Sequence, residues 1–258
     1  MRPVYPIRAW CRRFERVSTW RRKTPRTTGL LLRIRSPEGT ISASEIIYHE
    51  IQSWKRERGR PVVAYFHGLA ASGGYYVAMP ADKIVASPAS VTGSIGVIMT
   101  SINLSGLMEH FGTEDQTFTS GPYKDSPSLL RPMKPEERRH LQDVINRLHG
   151  RFEAVVREGR AEIAEQVAGL ADGRIFTADE ALELGLVDAV GHLETAIERL
   201  EGRAGIPESR LVSYRRVGEY RSGSYVGRRR PRSSTSRSSG SPSRASITSG
   251  RRFWLRAQ

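Results

Sequence analysis

A chain of 258 residues is long enough to bury one sizeable core, and a net charge of +14 at first suggests a nucleic-acid binder. The distribution argues against that: residues 1–28 carry +8 and residues 221–258 carry +10 without a single acid, which leaves −4 for residues 29–220. One cysteine, Cys11, excludes an internal disulfide and a cysteine-based metal cluster, and no apolar run reaches the ~18 residues needed to span a bilayer.

Residues 1–28, with Arg12-Arg13, Arg21-Arg22-Lys23, three prolines, Trp10 and Trp20, follow neither a helical nor a strand period and read as a disordered basic segment. They include no apolar h-region, so neither an export signal nor an anchor is expected in them, and the compartment stays open. Gly29 to Arg35 reads as a buried strand that ends at Ser36-Pro37-Glu38-Gly39. Ser42-Ala43-Ser44-Glu45 has the form of a capping box, predicting a helix with Ile47, Ile51 and Trp54 on one face and Gly59 as its stop. Val62 to Phe66 is a second strand. Strand, helix, strand with short links predicts a βαβ unit and a parallel sheet, whose reactive groups gather at the carboxyl ends of the strands. Gly39 and Ser72 both fall at that end.

The pattern continues with a strand at 84–86, a helix at 104–111, a strand at 116–119 and a loop, Gly121-Pro122-Tyr123-Lys124-Asp125-Ser126-Pro127. Pro135 opens the longest helix, with Leu141, Val144, Ile145, Leu148, Phe152, Val155 and Val156 as its apolar stripe. Thr177-Ala178-Asp179-Glu180 is a second capping box, and a helix over about 192–200 closes the fold. From Arg221 the composition is Ser/Arg/Gly-rich, with too few apolar residues to fold. The expected units are a basic segment at 1–28, an α/β domain at 29–214 and a disordered tail at 215–258.

The centre of the pattern is His67-Gly68-Leu69-Ala70-Ala71-Ser72-Gly73-Gly74-Tyr75-Tyr76, a strand, tight turn and helix with Ser72 in the turn. Two readings of Ser72 fit: an exposed nucleophile, or a plain N-cap beside a Gly-Gly turn. Ala81-Asp82-Lys83-Ile84-Val85-Ala86-Ser87-Pro88 and Thr92-Gly93-Ser94-Ile95-Gly96-Val97-Ile98 follow in order. Together these motifs resemble the signal peptide peptidase A family, the S49 serine peptidases, from about Gly29 to about Tyr214. The resemblance implies a ClpP/crotonase-like α/β fold, a mostly parallel sheet of βαβ units with flanking helices. It also implies a serine peptidase that needs no metal or organic cofactor. Family members usually carry an N-terminal membrane anchor and further strands before the position of Gly29, so both ends of this chain read as truncated or misread coding sequence.

A serine hydroxyl needs a base within hydrogen-bond reach. Of six histidines, His67 is nearest to Ser72 in sequence but reads as the end of its strand, and the others sit in surface-like contexts. Five lysines stand against 36 arginines, which cannot give up a proton at working pH. Lys124 alone lies in a Gly/Pro-bounded loop without a run of other charges, and the resemblance places the catalytic lysine there. Serving as base at neutral pH requires an amine with a reference pKa of about 10.4 to be desolvated. In single-domain members of the family, neighbouring subunits of a ring share the pair, so a homo-oligomer is expected. The resemblance further implies Ser94 as the residue that holds the lysine amine, and Gly39 and Gly73 as oxyanion-hole donors. Glu38 departs from the family's glycine; it costs on the order of 1 kcal/mol if φ must be positive, and its carboxylate is placed to pair with Lys124.

These readings predict a serine endopeptidase with a Ser72/Lys124 dyad that acts on signal-peptide remnants or unfolded segments. The alternatives are an impaired scaffold of the same fold and a nucleic-acid binder working through its basic tail.

Overall fold

The computed structural model describes residues 27–213 and a strand at 253–257. The expectations for the basic segment before residue 27, and for the rest of the arginine-rich tail, lie outside the described residues. The strands are β1 (Leu30–Ser36), β2 (Val62–Ala71), β3 (Lys83–Ala86), β4 (Val91–Gly93), β5 (Ile175–Thr177), β6 (Ala189–Val190), β7 (Val212–Ser213) and β8 (Phe253–Ala257). The helices are α1 (Ile41–Arg58), α2 (Gly73–Ala78), α3 (Ser105–His110), α4 (Pro135–Gly159), α5 (Val167–Leu170), α6 (Ala178–Glu183) and α7 (Leu193–Ala204).

The expected βαβ unit forms, with β1 and β2 parallel from Leu30↔Val62 to Ile34↔Phe66. The unbroken run Leu30-Leu31-Leu32 reflects a sheet covered on both faces. Leu30, Leu32 and Ile34 join the main core with Ile47, Ile51 and Trp54 of α1, while Leu31 packs with Leu193, Ala196 and Leu200 of α7. The α/β class with a mostly parallel sheet and flanking helices is the architecture observed, in the order β5-β4-β2-β1-β8-β7 with β3 and β6 branching from β2. Among the described strands only the β4–β5 pairing is antiparallel.

β2 runs through His67 to Ala71 and so is longer than the expected strand. Its first half pairs with β3 and its last three residues pair with β4, which brings the ends of β2 and β4 side by side. α1 starts earlier than the Ser42 box implies. Its N-cap is Thr40, whose hydroxyl accepts from the Ala43 N–H at 3.4 Å. Glu45 is thereby released to tie three helices together, accepting from Tyr76 Oη of α2 and from Arg151 of α4 at 2.8 Å. At the other end, Gly59 at φ 56° donates to Lys55 O, as expected.

Two segments differ from expectation. Residues 116–119 form no strand, and Phe118 is 98% exposed. A β-prone stretch stays irregular when no described strand offers it a ladder. Conversely, β8 falls inside the segment expected to lack regular structure and pairs in parallel with the second edge of β1, Leu30↔Phe253 to Ile34↔Ala257. Phe253-Trp254-Leu255 is a β-prone run too short to stand out in an arginine-rich tail, and the open edge of β1 supplies its partner.

A buried ion network closes the far side. Asp188 accepts from Arg160 at 2.7 Å, from Lys83 at 2.7 Å and from the Ile84 N–H at 2.8 Å, and Arg160 also donates to Gly185 O. Burial alone pushes the Asp188 carboxyl up, but Arg160 and Lys83 outweigh it and leave it below the ordinary carboxylate range. Asp188→Ala is expected to cost about 3 kcal/mol, because it strands Arg160 in the interior. A folded-state pKa below the unfolded value gives stability that is present above the unfolded value, about 3.9, and is lost as pH falls through the folded one. Melting of the wild type should therefore weaken more steeply under acid than melting of Asp188→Asn.

Candidate active site

Ser72 links β2 to α2 at φ 51° and ψ −118°, a conformation that side chains other than glycine rarely adopt. Two bonds hold it there: its N–H donates to Gly93 O at 2.9 Å, and its carbonyl accepts from the Tyr76 N–H at 3.0 Å. The side chain makes no capping hydrogen bond, so the plain N-cap reading of this serine fails. Its hydroxyl is half-buried and uncommitted to the helix.

Tertiary packing brings Gly39 to this turn. A Cβ on Gly73 would meet Gly39 Cα at 2.8 Å and Gly39 N at 2.9 Å, so the two backbones touch across the 34 positions that separate them. Gly73 occupies the first position of α2, where an N–H has no intrahelical partner. Sequence reasoning missed a third participant. Ser44 is buried at 4% exposure, and its Oγ lies 2.5 Å from the position a Cβ would take on Gly73 and 3.0 Å from that on Gly39. A serine one turn into α1 gives no local signal of this contact, which exists only once α1 crosses the end of the sheet.

Ser94 follows β4 as Ser72 follows β2, and the register Ala71↔Gly93 makes them neighbours at the carboxyl ends of adjacent strands. Its φ of 49° is the only other positive value outside glycine among the described residues. The Ser94 N–H donates to Arg174 O at 2.7 Å, and its side chain is half-buried. Glu38 is exposed and has no positive φ, so the backbone cost expected of it does not arise. It makes no ion pair with Lys124 among the described residues.

Lys124 lies on an exposed turn whose backbone is closed by its N–H donating to Gly121 O at 3.2 Å. Within one chain its Nζ makes no hydrogen bond or ion pair with Ser72, Ser94 or any other described residue. Ser72, Ser94, Gly39 and Gly73 therefore share one end of the sheet, while Lys124 is not bonded to them. Beside it, Asp125 takes both its hydrogen bonds from Arg131, at 2.9 Å each, and the same guanidinium reaches Glu137 at the start of α4. The Arg131 hydrogen bonds hold the Asp125 carboxyl below its ordinary range and bring Glu137 down to about 2.

The segment that precedes that turn in the chain is apolar and uncovered. Ile98 is 84% exposed, Ile102 60% and Phe111 71%, and the first half of the α4 stripe, Leu141 to Leu148, is only half-buried. The second half, Phe152, Val155 and Val156, enters the core. Among the described residues no acid, histidine and cysteine cluster could hold a metal ion, and no helix is long and apolar enough to cross a membrane.

The model of peptidase family S49 matches residues 54–207. A putative protease of Methanocaldococcus jannaschii is 40% identical over 186 residues, covering 72% of this chain and 59% of its own length. A putative signal peptide peptidase SppA of Enterococcus faecium is 38% identical over 187 residues, covering 72% of this chain and 54% of its own length. The chain thus spans little more than half the length of these relatives. Among solved structures, a ClpP1 mutant from Listeria monocytogenes covers 74% of this chain and 86% of its own, at a TM-score of 0.45 and 14% identity.

Proposed function

The chain belongs to peptidase family S49, and from that premise we propose that it is a serine endopeptidase with Ser72 as nucleophile and Lys124 as general base. The observation that carries the reading is the Ser72 turn: a non-glycine residue held at φ 51° at a strand-to-helix junction, with its hydroxyl left out of the helix cap. Such a conformation persists only where surrounding structure over-determines it, and it projects a hydroxyl clear of the sheet.

The proposed chemistry runs through five groups. Lys124 Nζ, in its neutral form, accepts the Ser72 proton as Oγ attacks the peptide carbonyl, and the N–H groups of Gly39 and Gly73 stabilise the oxyanion. The proton passes to the leaving amine as the C–N bond breaks. The resulting ester on Ser72 is then hydrolysed by a water that Lys124 deprotonates, with Ser94 orienting the amine. Substrates are extended peptides, such as signal-peptide remnants or unfolded segments.

Lys124 is open to solvent in a single copy, so the dry pocket that a lysine base needs comes from a second copy of the chain. The uncovered apolar band from Ile98 to Phe118 suits that role, and Gln116–Thr119 would gain a ladder partner there. A homo-oligomer with the dyad shared between subunits is the assembly this reading requires.

The test is labelling of the assembled wild type by a fluorophosphonate probe. Labelling at Ser72 that disappears in Lys124→Ala is the expected result. Labelling elsewhere, or labelling indifferent to Lys124, would remove the dyad.

A further inference from the structure

Arg131 holds two carboxylates at once. Its Nε and Nη2 donate to Asp125 Oδ2 and Oδ1 at 2.9 Å, while Nη1 and Nη2 donate to Glu137 Oε2 and Oε1 at 2.9 and 2.5 Å. Glu137, 1% exposed, also accepts from the Lys134 N–H at 2.9 Å and so closes the first turn of α4. The residue after Lys124 is thus pinned to the longest helix of the fold. Only a planar guanidinium with five donors makes this double fork; an ammonium cannot.

The arrangement also bears on charge. A carboxylate within about 4–6 Å of an amine favours the charged form of that amine, and Asp125 is bonded in sequence to Lys124. The charged and titratable groups that contacts place around the turn are Tyr123 and Asp125 on the loop itself, Arg131 facing it, Lys134 just before α4, and Glu137 and His140 on α4. The Tyr123 ring lies 5.7 Å from that of His140. Both oxygens of Asp125 are engaged by Arg131, and so are both oxygens of Glu137.

We infer that Arg131 is a positioning residue that withholds Asp125 from Lys124 while fixing the Lys124 turn on α4, so that the amine stays available as a base. The inference rests on the proposed role of Lys124. It predicts that loss of the fork frees Asp125 to pair with Lys124, and that higher pH is then needed to deprotonate the amine.

The experiment is the pH dependence of the rate of fluorophosphonate labelling at Ser72, in the assembled full chain, for wild type, Arg131→Gln, Asp125→Asn and the double variant. Arg131→Gln should shift the midpoint of the rising limb up by about one unit, which near neutral pH is about a tenfold slower rate. Asp125→Asn alone should leave the midpoint in place, and the double variant should return it towards wild type. Arg131→Lys, which keeps a cation on Glu137 without the fork, is read in the same way if Arg131→Gln has no melting transition. An unmoved midpoint in the Arg131 variants, a shift in Asp125→Asn alone, or a double variant as displaced as the single one would each overturn the inference. Lys124→Ala, run in parallel, separates the two claims. Full labelling of that variant fails the dyad itself, whereas lost labelling with an unmoved Arg131→Gln midpoint fails only the role of Arg131.

Discussion

Ser72→Ala is expected to lower peptide hydrolysis by roughly ten-thousand-fold or more in the assembled protein, with the melting temperature nearly unchanged. Removing the nucleophile removes the covalent route, and the remaining contacts supply only the residual rate that binding and oxyanion stabilisation give. Because the Ser72 side chain makes no capping hydrogen bond, its loss takes nothing from α2. Lys124→Ala should fall to a similar rate, and on the proposed dyad the double variant should be no worse than either single one, as for residues that act as a unit. Hydrolysis of an unfolded protein substrate, followed alongside thermal melting, separates this outcome from a folding defect. A Ser72→Ala protein that keeps a tenth of the wild-type rate would disprove the role of Ser72.

Gly73→Ala should damage both activity and stability. The added methyl group would lie 2.5 Å from Ser44 Oγ, 2.8 Å from Gly39 Cα and 2.9 Å from Gly39 N, and two of those atoms are backbone that cannot rotate away. Overpacking of this kind costs about 1–3 kcal/mol. Whatever relaxation relieves it must separate the two backbones whose N–H groups the proposed reaction assigns to the oxyanion, and a lost donor there would cost roughly a hundredfold or more in kcat. Ser44→Ala in the same background removes only the first of the three clashes, so it should recover little. Near wild-type kcat in Gly73→Ala would mean that the close approach of Gly39 and Gly73 plays no part in catalysis.

Local patterns in the sequence carried the sheet-forming half of the molecule. The Leu30 run, the Gly59 stop and the Thr177 box each follow from nearest-neighbour chemistry, and each formed as that chemistry requires. The turn at Ser72 was legible for the same reason, because it lies between a β-branched run and a helix of small and aromatic residues. What escaped notice depends on distant partners. Ser42 and Thr40 are both competent caps, and the choice between them is made by Glu45, which is drawn off to Tyr76 and Arg151. Ser44 acquires its place only when α1 crosses Gly39 and Gly73. The β-prone residues Thr117, Phe118 and Thr119 suggest a strand, but a strand needs a ladder and the described residues offer it none. The Arg131 fork spans Asp125 and Glu137, each six positions from the arginine, a spacing with no helical or strand meaning in a loop.

The uneven burial of α4 bears on assembly. Its second half enters the core at Phe152, Val155 and Val156, whereas its first half and the segment before it leave large side chains in water. Large exposed apolar patches commonly mark interaction sites. In the proposed reaction it would supply the dry pocket that Lys124 needs. Burial of the band and neutralisation of Lys124 are, on this account, one event.

Mixing is the most direct measurement of that account. Ser72→Ala and Lys124→Ala proteins, each inactive alone, are unfolded and refolded together so that mixed assemblies form, and peptide hydrolysis is followed. A site that takes its serine from one copy and its lysine from the next regains a substantial fraction of the wild-type rate, because some sites draw both intact residues. Mixed assemblies that form but stay as inactive as their parents would contradict a dyad shared between copies.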